Sequence, residues 1–278
     1  MHVDQIIVLA VVQGAAELLP VSSSAHVIMA EKLMGLDPTT PQMTLLLAML
    51  HTGTMFAVIA YFWRSWRATY FASRDAFRNS AIRIVLATAV TGFVGLALLQ
   101  LIKLVAAGGS RDFEIEQLFG NARLMAAALA AAGIFIIVSS RMAEGNADVT
   151  LRSAAWIGAV QGLCLPFRGF SRSGATISSG LILGLARRRA EEFSFALAVV
   201  LTPPVIVREA YRLFKLHPVG TDAGSTLELL GPSLLGMVLS FLAGLLALRW
   251  LSRWLERGRW HVFGVYCLAA ALIVLRLG

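Results

Sequence analysis

Gln13-Gly-Ala-Ala-Glu17-Leu-Leu-Pro20-Val-Ser22-Ser23-Ser24-Ala-His26 places a carboxylate, three consecutive hydroxyls and a histidine inside sequence that is otherwise mostly apolar. A helix running into this stretch must end before Pro20, and the serines can cap a new one. A helix N-capped by Asp4 and starting at about residue 5 then has about 14 residues, or roughly 21 Å. That is short of a hydrocarbon core of about 30 Å. A second helix can start at Ser23 or Ser24 and stop near Gly35, before Asp37-Pro38. Two half-length helices around a Pro-Ser break read as a re-entrant hairpin, with a single kinked spanning helix as the alternative. Irregular backbone at membrane depth is tolerated only inside protein or beside a water-filled cavity.

The rest of the chain supplies the membrane. Of 278 residues, 58% are hydrophobic and 14% charged, against about 25% charged in soluble domains. Uncharged runs recur at 43–63, 84–102, 124–140, 193–207, 229–248 and 260–275. A soluble helical bundle is the competing reading, and the lengths disfavour it. The net charge of +8 does not point to nucleic acid, because the basic residues sit as Arg-rich connectors between apolar runs. The connectors 64–83, 141–152, 187–192 and 249–259 hold 14 Lys and Arg, whereas 103–123 and 208–228 hold six. The richer set is therefore assigned to the cytoplasm, which leaves both termini outside. Met1-His2-Val3-Asp4 has no basic n-region, so no cleaved signal peptide is expected. Cys164 and Cys267 lie in apolar stretches and read as buried thiols.

A second broken apolar pair occupies 153–186, around Pro166-Phe-Arg168-Gly169-Phe-Ser171-Arg172-Ser173-Gly174. The two halves match at a nearly constant offset. Val12-Gln13-Gly14 recurs as Val160-Gln161-Gly162, and Ser22-Ser23-Ser24-Ala25 as Ser171-Arg172-Ser173-Gly174. Leu47-Ala48 before Thr52 recurs as Leu197-Ala198 before Thr202. The expected architecture is an all-α polytopic membrane domain over 1–278. It has six transmembrane helices plus two re-entrant helix hairpins in an inverted repeat, about 1–140 and 153–278. Such repeats aim half-helix N-termini at a common site.

Helix N-termini with free N–H groups suit phosphate. Gly169 and Gly174 let backbone approach an anion, and Arg172 offers a guanidinium fork for its oxygens. Ser22, Ser23, Ser24, Ser171, Ser173 and Thr176 are candidate ligands, or helix caps and interhelical hydrogen bonds. Glu17 lies one turn after Gln13 on the same face and can hold a divalent cation, act as a base or pair with Arg172. His26 is a general acid or base, or orients a serine. His51 reads as a helix-packing residue, and Arg187, Arg188 and Arg189 as topology determinants.

Glu17-Leu-Leu-Pro-Val-Ser-Ser-Ser-Ala-His26 and Gly169-Phe-Ser-Arg-Ser-Gly-Ala-Thr-Ile-Ser178 resemble the two signatures of the undecaprenyl-diphosphate phosphatase family, of the bacitracin-resistance type. Phe193-Ser-Phe-Ala-Leu-Ala198 also fits, so the resemblance spans essentially the whole chain. It implies a multi-pass inner-membrane enzyme, open to the periplasm, that converts undecaprenyl diphosphate to the monophosphate carrier and needs a divalent cation, Mg²⁺ or Ca²⁺. By matching position, Glu17 is the second acid of a Glu-x-x-x-Glu motif, and Ser23 the nucleophile with Ser22 beside it. His26 is then the motif histidine and Arg172 the phosphate clamp. Ser24, Ser171, Ser173, Gly174 and Thr176 surround the substrate, with Gln13 and Glu17 at the metal. The partners implied are the polyprenyl diphosphate and membrane lipid; a homodimer is left open.

Two departures stand out. Gln13 replaces the first acid of that motif, keeping an oxygen ligand but losing a charge. Arg168-Gly169 replaces the Pro-Gly expected before the Ser-Arg-Ser run. The alternative function is a transporter or flippase of phosphorylated polyprenyl lipid.

Overall fold

A computed structural model describes residues 2–37, 40–106, 121–167, 169–216 and 223–277. Ten helices form there: α1 (Val3–Leu18), α2 (Ser23–Leu33), α3 (Pro41–Thr69), α4 (Arg74–Ala106), α5 (Ala122–Ser140), α6 (Leu151–Leu163), α7 (Arg172–Ile182), α8 (Arg187–Leu216), α9 (Ala223–Glu256) and α10 (Trp260–Leu277). The described residues form no strand, only an isolated bridge between Ala147 and Leu185. The acidic connector residues Asp112, Glu114 and Glu116 lie outside the described residues, as does Arg168.

Both breaks fall where the proline and serine signals put them. α1 stops at Leu18 before Pro20, and α2 runs from Ser23 to Leu33, ahead of Gly35 in the left-handed region at φ +64°. At the other break α6 ends at Leu163 and α7 begins at Arg172. Asp4 is not an N-cap. The chain is already helical at Val3, with the Ile6 N–H on the His2 carbonyl at 3.3 Å, so Asp4 sits in the first turn. There it still meets the positive end of the helix dipole.

The Arg-rich connectors are mostly helix. α4 begins at Arg74, ten residues before its uncharged run, and α8 begins at Arg187. Arginine is a good helix former, and its long stem lets a helix continue past the apolar boundary. Among the described residues, four helices are long and apolar enough to cross a membrane: Gln42–Thr69, Arg74–Val105, Ala122–Ser140 and Leu230–Glu256. Trp260–Arg276 is a shorter apolar helix. Only 17% of the most apolar window of α4 is buried, and along the helix Val85, Phe93, Leu96 and Leu104 are exposed. A face so apolar and so exposed belongs in lipid. The chain is an all-helical, polytopic membrane protein.

Two compact units divide the chain. Unit 1 takes Met1–Leu18, Ser23–Trp63 and Ala198–Leu251. Its core joins Ile6, Leu9 and Ala10 of α1 to Val27 of α2 and to Met43, Leu46 and Leu50 of α3. α9 lies directly on α1: a Cβ on Gly14 would fall 2.6 Å from Ala243 Cβ and 2.8 Å from the Ser240 carbonyl oxygen. Ser240 Oγ in turn donates to the Leu50 carbonyl at 3.0 Å.

Unit 2 takes Leu19–Ser22, Arg64–Leu197 and Ser252–Gly278. α5 and α10 meet backbone to backbone, since Cβ atoms on Gly133 and Gly264 would each lie within 2.8 Å of the other glycine's carbonyl oxygen. Small residues permit such approach between membrane helices. The buried Trp260 indole donates to Ser139 Oγ and Ser178 Oγ, both at 3.1 Å, tying α10 to α5 and α7. Phe193, Ser194 and Phe195 of α8 are fully packed, and Ser194 Oγ lies 2.6 Å from Thr176 Oγ1. Of the two cysteines, Cys267 is buried and Cys164 half-buried, and both are free thiols.

Candidate active site

In unit 1 the break after Leu18 reverses the chain, so the first residue of α2 comes back beside the last turn of α1. Ser23 Oγ donates to Glu17 Oε2 at 2.6 Å. The same oxygen accepts from Gln13 Nε2 at 3.3 Å, across one helical turn. His51 Nε2 of α3 stands 3.8 Å from it. His51 Nδ1 lies 2.9 Å from the Leu47 carbonyl. A carbonyl only accepts, so Nδ1 carries a hydrogen, and Nε2 draws the Glu17 carboxylate when it is protonated as well. A short O–H···O⁻ contact is the strong, charge-assisted kind. A nucleophile bonded to a base, and the base held by a third group, is the arrangement that activates serine hydroxyls.

Ser24 and His26 are half-buried on α2, and His26 follows Ser23 by three residues on the same helical face. Gln13 is buried at 1% exposure. Among the described residues, no three His, Cys, Asp or Glu side chains gather to hold a metal. Mg²⁺ binds through one or two carboxylates together with substrate phosphates. Glu17, with the amide of Gln13, fits the Mg²⁺ pattern.

In unit 2, Leu19–Ser22 forms the tip of the first break. Ser22 is the one non-glycine residue among those described with positive φ, at 68°. Such a conformation costs about 1–2 kcal/mol and tends to persist where function requires it. Ser173 Oγ donates to the Leu19 carbonyl at 3.2 Å, and Cys267 Sγ to the Pro20 carbonyl at 3.2 Å. Ser171 caps α7, accepting the Gly174 N–H at 3.2 Å. Thr176 Oγ1 donates to the Arg172 carbonyl at 2.8 Å. These buried hydroxyls hold the backbone around Arg172, which is half-buried at the first position of α7. Gly169 is at φ +108°, and a Cβ there would meet the Met125 carbonyl oxygen at 2.5 Å. A Cβ on Gly174 would fall 2.9 Å from Ile136 Cδ1.

Ser23 and Arg172 each open an 11-residue helix, 149 residues apart. Glu17, Gln13, Ser23 and His51 belong to unit 1; Ser22, Ser171, Arg172, Ser173, Gly174 and Thr176 belong to unit 2. His51 is the residue that its own sequence context hides. The signal available was its place in the repeat, where Leu201 stands in the second half.

The model of the bacitracin resistance protein BacA family matches residues 6–273. The chain belongs to the BacA family. Undecaprenyl-diphosphatase 2 of Acinetobacter baylyi is 64% identical, the alignment covering 100% of this chain and 98% of the relative. Undecaprenyl-diphosphatase 1 of Burkholderia pseudomallei is 34% identical, over 97% and 95%. Undecaprenyl-diphosphatase 2 of Burkholderia thailandensis is likewise 34% identical, over 97% and 95%. The match to the BacA family runs through both broken helix pairs, so both groups of polar residues fall inside it.

Proposed function

We propose that this chain is a membrane phosphatase that hydrolyses undecaprenyl diphosphate to undecaprenyl phosphate and inorganic phosphate. In recycling that carrier for cell-wall synthesis it would confer resistance to bacitracin. Membership of the BacA family and three relatives named as undecaprenyl-diphosphatases support the substrate. The observation that carries the chemistry is the 2.6 Å hydrogen bond from Ser23 to Glu17. Ser23 Oγ attacks the terminal phosphorus and its proton passes to Glu17. The bond from phosphorus to the bridging oxygen breaks, and the lipid monophosphate leaves. Water then cleaves the phosphoserine, restoring the hydroxyl and releasing phosphate.

His51 positions Glu17, and His26, one turn on from Ser23, serves as acid or base toward the leaving group. Arg172 and the N–H groups at the start of α7 hold the phosphoryl oxygens, which suits a reaction that needs positioning and charge neutralisation. Ser22 and Ser24 flank the nucleophile, while Ser171, Ser173, Gly174 and Thr176 shape the phosphate loop. Gln13 and Glu17 would hold the divalent cation, Mg²⁺ or Ca²⁺, which would supply charge neutralisation when bound. The six-span topology with two re-entrant hairpins, an inner-membrane location and a site open to the periplasm complete the reading. The Arg-rich connectors and the two helix breaks support it.

The test is phosphate release from undecaprenyl diphosphate by the purified protein with Mg²⁺. Glu17→Ala and Arg172→Ala are each expected to slow release about 10²- to 10³-fold. A wild-type rate in either variant removes that residue from the chemistry. Lipid binding by the wild-type protein without phosphate release favours movement of the lipid instead.

A further inference from the structure

The Arg-rich ends of the helices in unit 2 enclose space that the catalytic motifs do not use. A cavity of about 290 Å³ is lined by Thr69, Tyr70, Ser80, Arg83, Asp148 and Arg189, among others. A second, of about 480 Å³, shares Ala68, Thr69 and Arg189 and adds Arg64, Arg188 and Glu192. No residue of either signature lines them.

The carboxylates around these cavities are already engaged. Asp148 pairs with Arg189 at 2.9 Å. The buried Glu192 accepts from Arg188 at 2.9 Å, from Arg189 at 3.2 Å and from Ser65. Arg83 differs, having no hydrogen-bond or ion-pair partner among the described residues. Two hydroxyls of the same lining also make no hydrogen bond among the described residues: Ser80, only 9% exposed, and Tyr70. Burial, and then the charge of Glu192, raise the Tyr70 phenol pKa, so it is a proton donor at neutral pH. A guanidinium and two hydroxyls without protein partners among the described residues, lining one cavity, leave several donors free for a shared acceptor.

We infer that Arg83, Ser80 and Tyr70 form a binding pocket for a phosphate group, separate from the catalytic motifs. The pocket offers a guanidinium fork and two hydroxyl donors, the set that phosphate oxygens accept from. It lies where the apolar span of α3 ends at Thr69 and that of α4 begins at Arg74. Lipid headgroups sit at that level, and basic pockets between membrane helices bind them. Inorganic phosphate presents the same oxygens.

Calorimetric titration of the full-length protein in uncharged detergent distinguishes the two sources. Inorganic phosphate is one probe and short-chain phosphatidylglycerol the other. Saturable binding that weakens about tenfold in Arg83→Gln, and by a smaller factor in Tyr70→Phe, supports the pocket. The probe that shows it identifies the source. Equal affinity of wild type and both variants for both probes overturns the pocket. Binding lost in Arg172→Ala but kept in Arg83→Gln overturns it too, by assigning the phosphate to the catalytic motifs. Tyr70→Phe removes a single oxygen, so the test survives if Arg83→Gln does not fold.

Discussion

Gln13 gives Glu17 an amide hydrogen at 3.3 Å, where a second glutamate would bring like charge. Two carboxylates that close either share a proton or recruit a cation. Gln13→Glu is therefore expected to lower the Mg²⁺ concentration for half-maximal phosphate release, by about tenfold. An unchanged Mg²⁺ dependence would show that the amide already suffices. His51 acts on Glu17 from outside the motif, so His51→Leu should cost about tenfold in kcat with KM and melting temperature unchanged. A parallel loss of stability would make it a packing residue instead. Glu191 is a separate matter. Burial raises its carboxyl from 4.5 to about 8, against a hydrogen bond from Ser252 that lowers it. The folded chain thus holds this proton more tightly than the unfolded chain. The resulting stability is full below about pH 4.5 and is lost as pH rises to about 8. Melting of the wild type between pH 5 and 9 should fall by a few degrees more than that of Glu191→Gln; parallel curves would refute it. The contact of Glu17 with Ser23 was legible because polar residues beside a helix break in apolar sequence have few other reasons to be there. His51 was not, because its contact crosses from α3 to α1, and only packing creates it.

At the scale of elements, the two broken pairs were the most legible part of the fold. Pro20 and the serines stop and restart the backbone by local chemistry alone, so α1 and α2 fall where that chemistry predicts. Helix ends in arginine-rich sequence were not legible. α4 starts at Arg74 because nothing in Arg74–Arg83 breaks a helix, although the charges there end the apolar run. Close helix pairs were hidden as well, since a glycine in an apolar run does not reveal which neighbour it admits. The Gly133–Gly264 contact tests this. Gly133→Leu would drive a side chain into the Gly264 carbonyl, 2.8 Å from where even a Cβ would sit. Overpacking of that kind costs about 1–3 kcal/mol, read as a lower melting temperature. A variant that melts with the wild type would mean that α5 and α10 can separate without loss.

For the whole molecule, the asymmetry of charge between connectors makes a claim about sidedness that the helices alone do not. Ser73 lies in the break between α3 and α4, and Asn146 in the segment between α5 and α6; both are exposed. The proposed topology puts both in the cytoplasm, among the 14 Lys and Arg of the richer connectors. Asn121, the exposed N-cap of α5, falls on the opposite side. A membrane-impermeant maleimide can read these positions in spheroplasts, with the wild-type chain as background because Cys267 is buried and Cys164 half-buried. Asn121→Cys should react in intact spheroplasts. Ser73→Cys and Asn146→Cys should react only after the membrane is opened. The first hairpin is assigned to the outer side by the same count, so its placement follows from the same labels. If Ser73→Cys and Asn121→Cys label from the same side, α4 does not pair with its neighbours as a span, and the inverted repeat fails. If all three labels are reversed, the repeat survives but the signature residues face the cytoplasm. The enzyme would then draw its diphosphate from the inner leaflet, and the positive-inside count would have misread this chain.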